Sequence, residues 1–176
     1  MQTLSESYSK RYILLLTLAA WLSMLGFDFF LHGGLLAGLY LQASPFLLDP
    51  LTAFRLVPLG YLSFLVLAIL LVWLMIRLNL TGWRSGALFG LRLGGLAWGS
   101  FVLGLISIST ASFPLLLGWF IGQTIEMGIA GAVVGNGLAG MRLRRLFGLV
   151  IVFVLLAAVI TIALQTLGLA PTARIE

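Results

Sequence analysis

From Tyr12 onward the chain is a series of long apolar runs, each broken by a short interval of Pro, Gly, Asp or Arg. A bilayer core of about 30 Å asks for roughly 20 mostly apolar residues per helix, and hydrocarbon leaves backbone groups no partners but one another. Five such runs emerge, at residues 12–40, 51–78, 85–107, 114–135 and 146–167. Ser44, Pro45, Asp49 and Pro50 close the first, with Asp49 placed to cap the second and Pro50 at its first helical position. Pro58 falls inside the second span and predicts a kink. Ser112 and Pro114 open the fourth span, and Gly135, Asn136 and Gly137 close it. The predicted fold is therefore an all-α integral membrane protein, a single domain over residues 1–176, with five transmembrane helices in one bundle and polar tails at 1–11 and 170–176.

Composition narrows the class. Charged residues make up 9% of the chain and mean hydropathy is +1.17, against about 25% charged residues in soluble domains. That leaves no room for a soluble domain. A net charge of +5 would suggest nucleic acid in a soluble protein, but the basic residues here flank apolar runs, so the lipid bilayer is the expected partner and nucleic acid is not. The absence of cysteine removes disulfides, thiolate metal sites and a cysteine nucleophile. The run after Lys10 and Arg11 is too long for a signal peptide and has no small-x-small cleavage site before Asp28, which predicts a retained first helix.

The basic residues also predict an orientation. With a cytoplasmic N-terminus, that side collects Lys10, Arg11, Arg77, Arg84, Arg142, Arg144 and Arg145, leaving Arg55 and Arg174 for the other. The positive-inside rule then expects an N-in, C-out protein of a cell membrane, of bacterial inner-membrane type. Tyr12, Tyr40 and Trp83 fall at expected interfaces, whereas Trp21 and Trp98 fall deeper, as packing residues.

Glycine marks the third and fourth spans. Four-residue spacing recurs in Gly90 to Gly94, Gly95 to Gly99, Gly118 to Gly122 and Gly131 to Gly135, and puts small residues on one helical face where backbones can approach closely. Packing within the chain is the simpler expectation; a homo-oligomer, or a membrane-protein partner on these two helices, is the alternative. The fifth span is almost wholly aliphatic and glycine-free from Leu149 to Ile162, as suits a lipid-facing element at the periphery.

Ionisable groups inside spans cost roughly 2.5 to 3.5 kcal/mol each even on insertion scales, so they are functional candidates by default. Asp28 and His32 share a face of the first helix, and Arg55 enters from the same end on the second, giving an expected cluster of three. Arg92 lies about 10 Å into the third span. Glu126 lies near the middle of the fourth, and depth alone predicts an Arg92–Glu126 ion pair between the glycine-rich helices. Gln123, Glu126 and Asn136 form a polar stripe on the fourth.

No motif names a substrate, cofactor or reaction. Asp28, His32 and Glu126 are acceptable metal-ligand types, but a single histidine and no cysteine argue against a metal centre. No cofactor is expected: the one histidine excludes bis-histidine haem and leaves only a lone axial position at His32. The signatures of zinc proteases, serine hydrolases and phosphate loops are missing, which puts an intramembrane enzyme last. Two roles remain. The first is a non-enzymatic scaffold or accessory subunit; the second is an oligomeric proton-coupled transporter or channel using Asp28, His32 and Glu126. A scaffold buries Glu126 against Arg92, whereas a transporter brings a water-accessible cavity to it.

Overall fold

A computed structural model describes residues 8–42 and 44–171; Arg174 and the remainder of both predicted tails lie outside the described residues. The described residues form helices and connections without strand, and five helices are long and apolar enough to cross a membrane. α1 spans Lys10–Phe30, continues as a π-helical turn over Leu31–Leu35, and ends in a short α2 at Ala37–Tyr40. α3 spans Pro50–Arg77, α4 Trp83–Ile108, α5 Phe113–Leu138 and α6 Leu143–Thr166.

The expected continuous first helix over 12–40 is thus broken. The break follows from sequence, since Gly33 and Gly34 weaken the helix where it meets α6. A π turn misaligns the carbonyl ladder, and here Gln165 Nε2 of α6 donates to Gly33 O at 2.9 Å. The other boundaries match the expected spans to within a few residues, as helix ends allow. Asp49 caps α3 by accepting from the Thr52 backbone N–H at 3.0 Å. Ser112 occupies the N-cap of α5 but makes no side-chain cap bond.

Short connections make successive long helices antiparallel. Tyr8 and Tyr12 at the start of α1 donate to the carbonyls of Leu138 and Gly137 at the end of α5, both at 2.8 Å. Gly82 N–H, just before α4, donates to Gly135 O at 2.8 Å. One end of the bundle therefore carries Lys10, Arg77, Arg84 and the three arginines before and within the first turn of α6. The hydrophobic core sits toward this end: Leu16, Ala20 and Met24 of α1 meet Leu71 and Met75 of α3 and Ala130 and Val134 of α5, with Leu146 of α6 closing the side. Trp21 and Trp98 pack against this core.

Toward its other end α3 leaves the bundle. Its buried residues, Phe64, Ala68, Leu71, Val72, Met75 and Ile76, recur at helical spacing, whereas every residue from 51 to 60 is exposed. α6 packs mainly on α1 and keeps a broad exposed aliphatic face, consistent with a peripheral place. α4 is more peripheral still, because it packs chiefly on α5.

The α4–α5 seam is backbone against backbone. A Cβ added at Gly86 would overlap Gly131 O, one at Gly90 would overlap Met127 O, and one at Gly135 would overlap Gly82 O. Gly94 lies over Met127, while Gly95 and Gly99 have looser neighbours in Thr124 and Phe120. Gly118 and Gly122 seat Leu36 and Leu31 from the other side of α5. The small-residue faces are therefore filled largely from within the chain.

Candidate functional site

The polar residues that meet do so between α5 and the stretch from the end of α1 through the π-helical turn to α2, and a donor order runs through them. Trp119, Gln123 and Glu126 lie at four- and three-residue spacing on α5 and so share a face. Trp119 Nε1 can only donate, and it reaches Tyr40 Oη at 2.6 Å. The Tyr40 hydroxyl proton is then free for His32 Nδ1, 2.5 Å away. A histidine that accepts at Nδ1 carries its proton on Nε2, and Nε2 faces Asp28 Oδ1 at 3.1 Å. Gln123 Nε2 completes the set, 3.5 Å from the same oxygen. With Nε2 of His32 acting as a donor, the 3.3 Å approach of Gln123 Nε2 to it is a contact between two donors, so the amide serves the carboxylate.

One turn further along α5 the pairing stops. Glu126 is 0% exposed and neither carboxylate oxygen has a hydrogen-bond partner. Gln123 Oε1 and Thr124 Oγ1, on the same stretch, are also buried and unpartnered. Leaving a buried polar group unpaired costs about 1–3 kcal/mol, and more for a charged one. The Glu126 carboxyl is thus buried with no cation beside it among the described residues.

Access comes from the side. The departure of α3 leaves a cavity of about 350 Å³ between α1 and α3, lined by Asp28, Phe29, His32, Tyr40, Tyr61 and Phe64. Trp21 Nε1 donates to Tyr61 O at 2.8 Å and fixes the point where α3 rejoins α1. The cavity reaches the Asp28–His32 pair but Glu126 is not among its lining residues, so neither the cavity at Glu126 expected of a transporter nor the burial against Arg92 expected of a scaffold is found.

Several expectations are corrected. Arg92 is exposed and forms no ion pair with Glu126. The reason is angular: Arg92 is two residues from both Gly90 and Gly94, about 200° around the helix, and the glycine seam turns it away from α5. Arg55 lies on the exposed half of α3 and does not join Asp28 and His32; Tyr40, Trp119 and Gln123 take the place expected for it. Asn136 shares α5 with Glu126 but sits ten residues, or about 15 Å, further on, where it lines a different cavity. Among the described residues, no three of His, Asp and Glu gather into a group that could hold a metal ion.

Tyr40 and Trp119 were the residues sequence reasoning missed. Tyr40 reads as an interface anchor, and Trp119 is not singled out by its position in the sequence. The available signal was spacing, since Trp119 is one turn from Gln123 and Tyr40 eight residues from His32. No protein-family model, curated protein or solved structure matches this chain.

Proposed function

We propose that this is a multi-pass protein of a cell membrane, N-terminus cytoplasmic and C-terminus outside, that takes part in proton-coupled transport through an intramembrane site of Asp28, His32, Gln123 and Glu126. The observation that carries this reading is the wholly buried, unpartnered carboxyl of Glu126 beside an ordered donor chain that opens to a cavity. A carboxyl in such a place is neutralised by a proton or a cation. A proton on Glu126 would also supply the donor that Gln123 Oε1 lacks. Gln123 then links the two carboxyls, its amide nitrogen toward Asp28 and its oxygen toward Glu126. His32, half-exposed beside the cavity, exchanges protons with it, and Tyr40 and Trp119 hold the ring orientation.

The scaffold or accessory-subunit reading rests on the exposed half of α3, a face that a partner helix would cover. It gives no reason for an unpartnered carboxyl among the packed helices, because buried polar groups kept for structure are normally paired.

Flux into proteoliposomes loaded with a pH-sensitive dye tests the proposal. Under an imposed pH gradient and membrane potential, wild-type vesicles should change internal pH faster than protein-free vesicles, and Glu126→Gln should abolish the difference. Equal rates for wild-type and protein-free vesicles, across gradients of both signs and with candidate solutes supplied, would overturn it.

A further inference from the structure

At the opposite pole of the molecule from the α1–α3 cavity, the turn from α5 to α6 surrounds an open concavity of about 840 Å³. Asn136, Met141, Arg142, Arg144 and Arg145 line it. Three cations within four residues repel one another, and among the described residues no carboxylate pairs with any of them. Their position sharpens the repulsion. Arg142 is the N-cap of α6, with Arg144 and Arg145 in its first turn, so all three sit on the positive end of the helix macrodipole, where cations are disfavoured. No side chain caps that end, so the N–H groups of Leu143 and Arg144 have no side-chain acceptor, whereas Arg145 N–H donates to Arg142 O at 2.9 Å. The wall behind is rigid: Gly140 takes the tight turn at φ +91°, Met141 N–H donates to Asn136 O at 3.1 Å, and Tyr8 and Tyr12 pin the end of α5.

We propose that this concavity binds a phosphate group. A tetrahedral, multiply accepting anion matches guanidinium forks, which pair phosphate bidentately, and cancels a charge the protein leaves unpaired. Two sources share this chemistry: the headgroup of an anionic phospholipid, to which a basic pocket at the end of membrane helices is well suited, and inorganic phosphate from solution. The site stands apart from the proposed proton path and does not depend on it.

The test uses purified full-length protein in uncharged detergent, titrated with phosphatidylglycerol, with phosphatidylcholine or with inorganic phosphate, and read by native mass spectrometry and by the shift in melting midpoint. The informative variant replaces Arg142, Arg144 and Arg145 together by Lys, which keeps the charge and hence membrane insertion while removing the guanidinium forks. Arg84→Gln is the control, a cation at the same end of the bundle outside the concavity. Saturable binding of phosphatidylglycerol in preference to phosphatidylcholine, weakened roughly tenfold in the triple Lys variant, as for loss of one charge-assisted hydrogen bond, and unchanged by Arg84→Gln, supports a lipid headgroup. The same pattern with inorganic phosphate supports a soluble ligand. Binding equally strong in the triple Lys variant, equally weakened by Arg84→Gln, or absent for all three ligands overturns the proposal. Should the triple variant fail to fold, Arg144→Lys alone carries the same comparison.

Discussion

Replacing Glu126 by methionine should stabilise the folded protein. Both carboxylate oxygens are fully buried and unpartnered, so the only hydrogen bond to lose is the one a protonated Glu126 would make to Gln123 Oε1, worth about 1 kcal/mol, while removing the group lifts a desolvation cost of about 1–3 kcal/mol. Methionine is of similar length, and its flexible thioether adapts to the vacated space, which keeps any cavity term small. The net expectation is a gain of up to about 2 kcal/mol, roughly a 30-fold rise in the folded-to-unfolded ratio at most. An Arg92–Glu126 ion pair would reverse the sign, because breaking one partner of a buried pair costs about 3–5 kcal/mol. Reversible unfolding in mixed micelles, followed by circular dichroism for wild type, Glu126→Met, Arg92→Met and the double variant, separates the two cases. The exposed Arg92 should change stability little, and the two substitutions should add to within about 0.5 kcal/mol. A loss of more than about 1 kcal/mol in Glu126→Met, or a coupling of that size in the cycle, would refute the reasoning.

Other measurements bear on the fold and the donor chain. Gly131→Ala puts a methyl group into the Gly86 carbonyl, where only movement of whole helices relieves the clash, so it should cost about 1–3 kcal/mol or more; Gly148→Ala meets nothing within 4 Å and should be neutral or stabilising in the same unfolding assay. Tyr40→Phe leaves the Trp119 N–H without its acceptor and His32 Nδ1 without its donor; it should lower stability by about 1–3 kcal/mol and shift the pH profile of any proton flux, whereas an unchanged profile would remove Tyr40 from the relay. The cap bond from Thr52 holds the Asp49 carboxyl below its usual range; its contribution to α3 is complete above the ordinary carboxylate pKa and fades as pH falls through the lowered value, a dependence that Asp49→Ala should abolish in acid unfolding. Reporter fusions should place the loops of Arg84 and Arg144 on the cytoplasmic side and that of Asp49 outside, and a cytoplasmic C-terminus would contradict the orientation.

The fold was largely legible because span length and apolar content are one-dimensional quantities. Pro50 behind Asp49, and the glycine repeats of α4 and α5, wrote their caps and their seam directly into the chain. Depth was legible too, but depth alone misplaced Arg92. The same glycine spacing that brings α4 onto α5 fixes which side of α4 faces away, and Arg92 lies on that side; combining rotation with depth would have excluded the pair. The polar cluster was half legible. Asp28 and His32 announce themselves at four-residue spacing, whereas Gln123 lies 95 residues from its acceptor Asp28 and Trp119 lies 79 residues from its acceptor Tyr40, and only the packing of α5 against α1 and the segment after it brings them together. The departure of α3, which opens the cavity, has no counterpart in the hydropathy of residues 51 to 60, since an apolar face looks the same against lipid as against protein.

Proton exchange at Glu126 is tested most directly by labelling with a hydrophobic carbodiimide, a reagent for protonated carboxyls within apolar surroundings, mapped by mass spectrometry on folded protein in liposomes. An adduct on Glu126, with proton flux lost in proportion to its formation, is the expected result. A folded protein in which Glu126 stays unmodified, or one that keeps full flux after Glu126 is fully modified, would contradict it.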